Sequence, residues 1–276
     1  MVASPDPIND DLWEAIQPLL PAEPAHDHGG PPRVPHRAAL SGIVFILRHG
    51  LRWGDLPQAL GYGSGITCWR RLRQWQALGI WATVHQVVLN WLGDLDALDW
   101  SRASVDSTSV RAKRGGEHTG PNPTDRGKAG SKFHVLVDRQ GVPLAVQLTA
   151  ANVHDVKLLE PLMDAVQPIR RPTGEPGRPR KRPAKLHADK AYDFGSTRRA
   201  LRKRGITPRI ARRGVESSER LGRVRWVVER TQAWIVAFRK LAVRYDRHAA
   251  SVLAFLHLAC ALICLRFLAH TEAAAH

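Results

Sequence analysis

The spacing of apolar residues changes character at about residue 100. Before that point apolar positions recur every three or four residues, the helical period; after it, short stretches alternate apolar with polar. "HRAALSGIVFILRHG" (36–50) predicts a helix that stops at Gly50, a residue free to take the left-handed conformation that closes a helix. "RWGDLP" reads as a turn. "SGITCWRRLRQWQALGIWATVHQVVLNWLG" (64–93) predicts two helices joined near Leu78-Gly79, with Ser64 placed to cap the first. Two helices across a short glycine-containing turn have the outline of a helix-turn-helix unit, and Arg70, Arg71 and Arg73 are its candidates to face DNA.

Beyond residue 100, "ASVDSTSVRA" (103–112), "KFHVLV" (132–137) and "PLAVQLT" (143–149) predict three strands. A Gly/Pro/Asn-rich loop separates the first two, and "DRQG" is a hairpin turn between the second and third. A helix over about 155–168 follows, then a solvated loop, "RRPTGEPGRPRKRP" (170–183). A strand at 185–189, a helix near 196–204, a strand at 206–211, a long helix near 219–241 and a terminal helix complete the order β-β-β-α-β-α-β-α-α. That order implies an α/β protein with mixed strand pairing. The run "VLAFLHLACALICLRFLA" (252–269) is the sole membrane candidate, but His257 and Arg266 interrupt it, which predicts a buried helix and no membrane.

Charge narrows the partner. The 276 residues carry a net charge of +16, which favours a polyanion, nucleic acid first. The charge is clustered: residues 1–32 hold six acids and no Lys or Arg, whereas 198–213 holds eight basic residues and no acid. With 170–183 this predicts a basic face near the reacting site, with Arg180, Lys181, Arg182, Arg198, Arg199 and Arg202 as phosphate contacts. Three cysteines, Cys68, Cys260 and Cys264, form neither a disulfide framework nor a zinc pattern, so a reducing cytosol is expected. The N-terminal stretch has no basic n-region or apolar h-region of a signal peptide.

Three carboxylates carry the candidate chemistry. Asp106 lies inside a strand, where Asp is disfavoured, and Asp189 ends the fourth strand. If those strands are neighbours, the two acids sit side by side. On the long helix an apolar stripe (Leu221, Val224, Val228, Thr231, Ile235, Phe238) is flanked by a second one (Arg225, Glu229, Gln232, Val236, Lys240), from which Glu229 can reach over the sheet. Like charges that close repel and raise each other's pKa unless cations compensate. A pair of divalent ions on oxygen ligands, Mg²⁺ by preference, compensates them and forms the usual device for in-line displacement at phosphorus. Asp189 as a loop cap and Arg225–Glu229 as a surface pair are the structural alternatives.

The strand Asp, the Asp of "ADKAYD", and the Glu of "RWVVER" followed by "FRKLAVRYD" resemble the DDE transposases of bacterial insertion sequences, family five in particular. "GIVFILRHGLRWGDLP", "RQWQALGIW", "GSKFHVLVD" and "TAANVHD" extend the resemblance over about residues 10–250. It implies an RNase H-like mixed-sheet catalytic domain (99–276) carrying Asp106, Asp189 and Glu229, preceded by an all-α domain (1–98) that helps recognise terminal inverted repeats. It further implies two Mg²⁺ ions, with Mn²⁺ able to substitute, a homodimer or larger assembly on DNA, and a cytoplasmic, nucleoid-associated protein. Related families carry a Tyr, Arg, Glu, Lys signature around the helical acid. Here Arg225 and Glu229 stand in place, but Gly222 and Val236 occupy the Tyr and Lys positions; Lys240, one turn on, is the candidate replacement phosphate contact beside Arg225. Two other readings fit: a nuclease of the same fold without strand transfer, and a non-catalytic DNA-binding regulator.

Overall fold

The computed structural model describes residues 8–22, 33–212 and 218–275. The chain opens with helices: α1 (Asp10–Ile16), α2 (His36–His49), α3 (Gly65–Ala77) and α4 (Ile80–Asp94). The expected punctuation is present. Gly50 closes α2 at φ 69°, and Ser64 Oγ accepts from Thr67 N at 3.1 Å to cap α3. Gly65 follows because a Cβ there would lie 1.6 Å from the Trp53 carbonyl oxygen, so only glycine lets α3 start against the 50–57 turn. The sequence pattern did not announce α1, which is short and capped by Asn9.

The sheet contains β1 (Ala103–Arg111), β2 (Gly120–Pro121), β3 (Ala129–Asp138), β4 (Pro143–Ala150), β5 (Lys185–Ala188) and β6 (Thr207–Ile210). β1, β3 and β4 form an antiparallel meander, and β5 and β6 add in parallel beyond β1. An antiparallel meander extended by two parallel strands beside its first strand is the RNase H-like arrangement. The two-residue β2, beside the start of β3, lies within the loop expected to be irregular.

Helices α5 (Val156–Ala165), α6 (Gly195–Lys203), α7 (Ser218–Ala237), α8 (Arg239–Ala242) and α9 (Ala249–Ala275) complete the chain. Adjacent strand residues point to opposite faces. Asp106 meets Arg225 of α7 while Ser107 meets Asp155 at the start of α5, so α5 and α7 cover opposite faces of the sheet. α7 is fixed against the β3–β4 hairpin: Thr231 Oγ1 donates to Gly141 O at 2.6 Å, and Arg230 donates to Gln140 O. Arg230 is itself held between the Trp226 and Trp234 rings, 4.8 and 4.5 Å from their centroids.

α9 is long and apolar enough to cross a membrane, but it packs against α3, α4 and β4 as a core helix. Phe255, Leu256, Ala259, Cys260, Ile263 and Cys264 on it are buried, and a single hydrophobic core runs from the leading helices into the sheet. The long helix expected over 219–241 is broken. α7 ends at Ala237, Phe238 takes an extended backbone (ψ 106°), and α8 turns away.

Candidate active site

β1 and β5 run parallel, with Ala103 beside Leu186 and Ser104 beside His187. Continued two residues, that register sets Asp106 beside Asp189 at the carboxyl end of β5. The proximity is felt: the Asp106 carboxyl is raised above the usual range, chiefly by burial, with the Asp189 charge adding and Arg225 opposing. Asp106 Oδ1 accepts from Ser107 N at 2.8 Å. Asp189 Oδ1 accepts from Ala191 N at 2.9 Å, so the acid does cap the turn that follows β5.

Glu229 joins the pair through an intermediary. Arg225 Nη2 lies 2.9 Å from Asp106 Oδ2 and 3.9 Å from Glu229 Oε1. Glu229 is otherwise exposed, whereas Asp106 and Arg225 are mostly buried. Among the described residues no three His, Cys, Asp or Glu side chains are gathered closely enough to hold a metal ion. The donor set nevertheless fits a hard divalent cation: carboxylate oxygens only, one carboxyl raised by burial and by its acidic neighbour, and a guanidinium lying between two of the three acids as a stand-in cation.

Behind Asp106, on the α5 face, lies a second polar group; His134 and Tyr192 in it lie near the acids already by sequence, whereas its centre, Asp155, carries no such signal. Asp155 Oδ1 accepts from Ser107 Oγ at 2.9 Å and from Lys132 Nζ at 2.8 Å. His134 is fully buried there, its Nε2 2.8 Å from Thr149 Oγ1, and burial pushes its pKa down to about 4. Buried Tyr192 lies within reach of three carboxylates. Its hydroxyl is raised well above the ordinary value by burial, then by Asp155, Asp106 and Asp189. The signal was the strand alternation itself, which turns Ser107, Ser109, Lys132 and His134 to the face opposite Asp106.

The expected phosphate contacts divide. Arg70 and Arg73 on α3 are exposed and Arg71 is half-buried, with Arg73 stacked over Trp69. α4 carries no Lys or Arg and lies on α9, so the basic face of the helix pair belongs to α3. Arg199 and Arg202 are exposed on α6, but Arg198 is committed to Asp193 Oδ1 at 2.7 Å and Ile210 O at 2.9 Å.

The 170–183 loop is not beside the acids, contrary to expectation. Arg170 pairs with Asp94 and Arg180 with Asp96 and Glu175, which ties the loop to the end of α4. It enters β5 at the end opposite Asp189, about 13 Å away at roughly 3.3 Å per residue; Lys181 and Arg182 go with it. Lys240 is also displaced. Because the helix breaks at Phe238, Lys240 is buried in α8, 3.4 Å from Asp246, donating to Leu51 O and lying over Trp53. It is no substitute for the lysine missing at Val236, which packs on the core. The side chains of Leu221, Gly222 and Val224, and Arg213, lie outside the described residues.

Residues 8–85 match a family described as "Putative transposase of IS4/5 family", and residues 101–264 match the family "Transposase DDE domain". The chain is 54% identical over 146 residues to a Burkholderia cepacia protein described as "Putative transposase for insertion sequence element IS402", covering 53% of this chain and 68% of that one. It is 51% identical over 118 residues to "Insertion element IS402 uncharacterized 16.2 kDa protein" from the same organism, covering 42% and 80%. The Mos1 Strand Transfer Complex aligns with a TM-score of 0.34 at 14% identity, over 88% of this chain and 79% of that one, a likeness too distant to bear on the site. The DDE family is one of nucleotidyl transferases that use divalent metals. With its second match spanning more than half of the sequence, the chain belongs to the DDE transposases of bacterial insertion sequences.

Proposed function

We propose that the protein binds the terminal inverted repeats of its insertion sequence and catalyses cleavage and strand transfer at Asp106, Asp189 and Glu229. The observation that carries this is the β1–β5 register, which continued sets Asp106 beside Asp189, whose charge acts on it, with Arg225 linking Asp106 to Glu229. Two Mg²⁺ ions, or Mn²⁺ in their place, would be held by these carboxylates and would supply Lewis acidity at the attacking and leaving oxygens. Asp106 is oriented by Ser107 N and by Arg225, and Asp189 by the turn it caps. Water attacks phosphorus at the element end, the P–O bond to the leaving 3′-oxygen breaks, and that oxygen departs as a hydroxyl. The freed 3′-hydroxyl then attacks a target phosphodiester in the same geometry, the target strand's own P–O3′ bond breaks and that oxygen leaves as a hydroxyl, so no covalent link to the protein is needed.

Residues 1–98 would serve end recognition through the exposed face of α3, and 99–276 the chemistry. Bringing two ends together requires at least a dimer on DNA. A cytoplasmic, nucleoid-associated protein follows from that substrate.

Pre-cleaved ends incubated with plasmid and Mg²⁺ test the reading: joined product is expected from the protein and not from Asp189→Asn. Hydrolysis without joining would favour a nuclease. One observation favours a non-catalytic regulator, namely that Val236 replaces the signature lysine and Lys240 is buried elsewhere. End binding with no metal-dependent cutting would establish it.

A further inference from the structure

The segment 112–128 joins β1 to β3 and is far longer than a hairpin turn, yet it is firmly anchored. Lys113 N donates to Arg244 O, Arg244 N to Arg111 O, and Glu117 N to Arg247 O, each at 2.9 Å. The buried Arg244 guanidinium donates to His118 O at 3.1 Å, Thr119 Oγ1 at 3.3 Å and Ser131 Oγ at 2.6 Å. At the far end Asn122 Oδ1 accepts from Thr124 N and Oγ1, and Asn122 O accepts from Gly127 N. His118 and Arg126 are held at φ 51° and 52°, a region that such residues keep only when their surroundings enforce it.

This fixed loop presents cations. Lys113, Arg114 and Arg126 are exposed and, among the described residues, make no ion pair. Both acids of the segment have other partners: Asp125 is shared by Arg111 and Lys128, and Glu117 meets His248 and accepts from Ala249 N. Three uncompensated charges on an immobile support repel one another, and a polyanion lying across them relieves the repulsion.

The loop's position names the polyanion. β1 and β5 are parallel, so the end of β1 that delivers the loop is the end of β5 that delivers Asp189. Asp106 to Arg111 is five residues along β1, about 16 Å at roughly 3.3 Å per residue. Phosphates of one strand repeat every 3.4 Å or so along the duplex axis, so a duplex lying along β1 would carry about five base pairs over that span.

We propose that the 112–128 loop is a phosphate-binding shelf for duplex DNA, on which Lys113, Arg114 and Arg126 grip the backbone about five base pairs from the phosphodiester engaged at Asp106 and Asp189. The shelf rests on the transposase reading of that site. It is tested with the Lys113→Ala/Arg114→Ala/Arg126→Ala protein and with a charge-keeping Lys113→Arg/Arg114→Lys/Arg126→Lys protein. Binding to a duplex from the element terminus is followed by anisotropy across a salt series, with hydroxyl-radical footprinting.

The alanine protein is expected to flatten the dependence of log Kd on log salt by about 2–3, since each lost phosphate contact removes roughly 0.9. Its footprint loses protection about five nucleotides from the cleavage point and keeps it at that point; the charge-keeping protein behaves as wild type. An unchanged salt slope and footprint in the alanine protein, with the wild type still cutting element ends, would overturn the shelf alone. Wild-type protein that binds no duplex would overturn both the shelf and the reading beneath it.

Discussion

Arg225 reaches across from α7 to place Nη2 2.9 Å from Asp106 Oδ2, and Glu229 lies one helical turn on with its Oε1 3.9 Å from the same nitrogen. The guanidinium therefore stands where positive charge is wanted. It partly offsets the burial that raises the Asp106 carboxyl. Arg225→Gln leaves a mostly buried carboxylate beside Asp189 with no cationic partner. In chelator its unfolding free energy is expected to fall by about 2 kcal/mol, within the range for breaking a partly buried charged hydrogen bond. Added Mg²⁺ should then raise the stability of the variant more than that of wild type. Equal metal responses in the two proteins, read by denaturant titration, would show that Arg225 is not a surrogate for the metal.

Asp106 is the carboxylate with the most demanding surroundings, which makes it the sharpest test of chemistry against fold. Asp106→Asn keeps the shape and the Ser107 N–H contact but removes the charge. End binding should be unchanged while cleavage falls by more than about 100-fold, since even residues that merely support a metal ligand cost 10–100-fold. Gel-shift and cleavage assays on one preparation separate the two. A matching loss of both would mean the acid is structural.

On the opposite face, Lys132 and Asp155 are mostly buried and meet at 2.8 Å, with Ser107 Oγ also donating to Asp155. Asp155→Leu alone strands the lysine and is expected to cost about 3 kcal/mol. Lys132→Met in the same chain should recover much of that, leaving a positive coupling of 1 kcal/mol or more. Because Ser107 follows Asp106, the single variant should also weaken metal-dependent cleavage. Additive effects of the two substitutions on stability would show that the pair is not a unit.

What could be read from the chain follows the strength of local signals. The change of period near residue 100, the Ser64 cap, the Gly50 stop and the DRQG turn are local events, and each recurs in the structure within a residue or two. Asp106 stood out because an acid is unexpected in a strand, and parallel pairing of β1 with β5 then sets it beside Asp189. The features that escaped depend on distant partners. Nothing near Phe238 announces a helix end, since the break serves contacts from Lys240 to Asp246, Leu51 and Trp53. The 170–183 loop reads as free basic charge until Asp94 and Asp96 are found against it. Asp155 looks like an ordinary helix-start acid until the alternation of β1 turns Ser107 towards it.

The helical leader meets the sheet through buried His85, which lies beside half-buried His257 of α9, and that contact makes stability depend on pH. His85 Nε2 donates to Pro143 O at 2.8 Å, and its ring lies 6.0 Å from that of His257. Burial pushes His85 down to about 3, with His257 adding to the effect, and burial pushes His257 down to about 4. The unfolded chain takes up protons near pH 6.5 that the folded state refuses, so stability is full above that pH and falls as pH drops towards 4. His134 and His187, both pushed down to about 4, act in the same direction. Asp138, raised to about 6 by burial, acts in the opposite one, because its folded form takes up a proton more readily than the unfolded chain. The clean measurement is therefore a difference between proteins. His257 Nδ1 is buried without a hydrogen-bond partner, so His257→Leu should cost little at pH 7. Between pH 7 and 5 the variant should lose about 2 kcal/mol less than wild type in urea unfolding, from 1.36 kcal/mol per unit over roughly 1.5 units. A variant that loses as much as wild type over that interval would place the acid sensitivity elsewhere than at this contact.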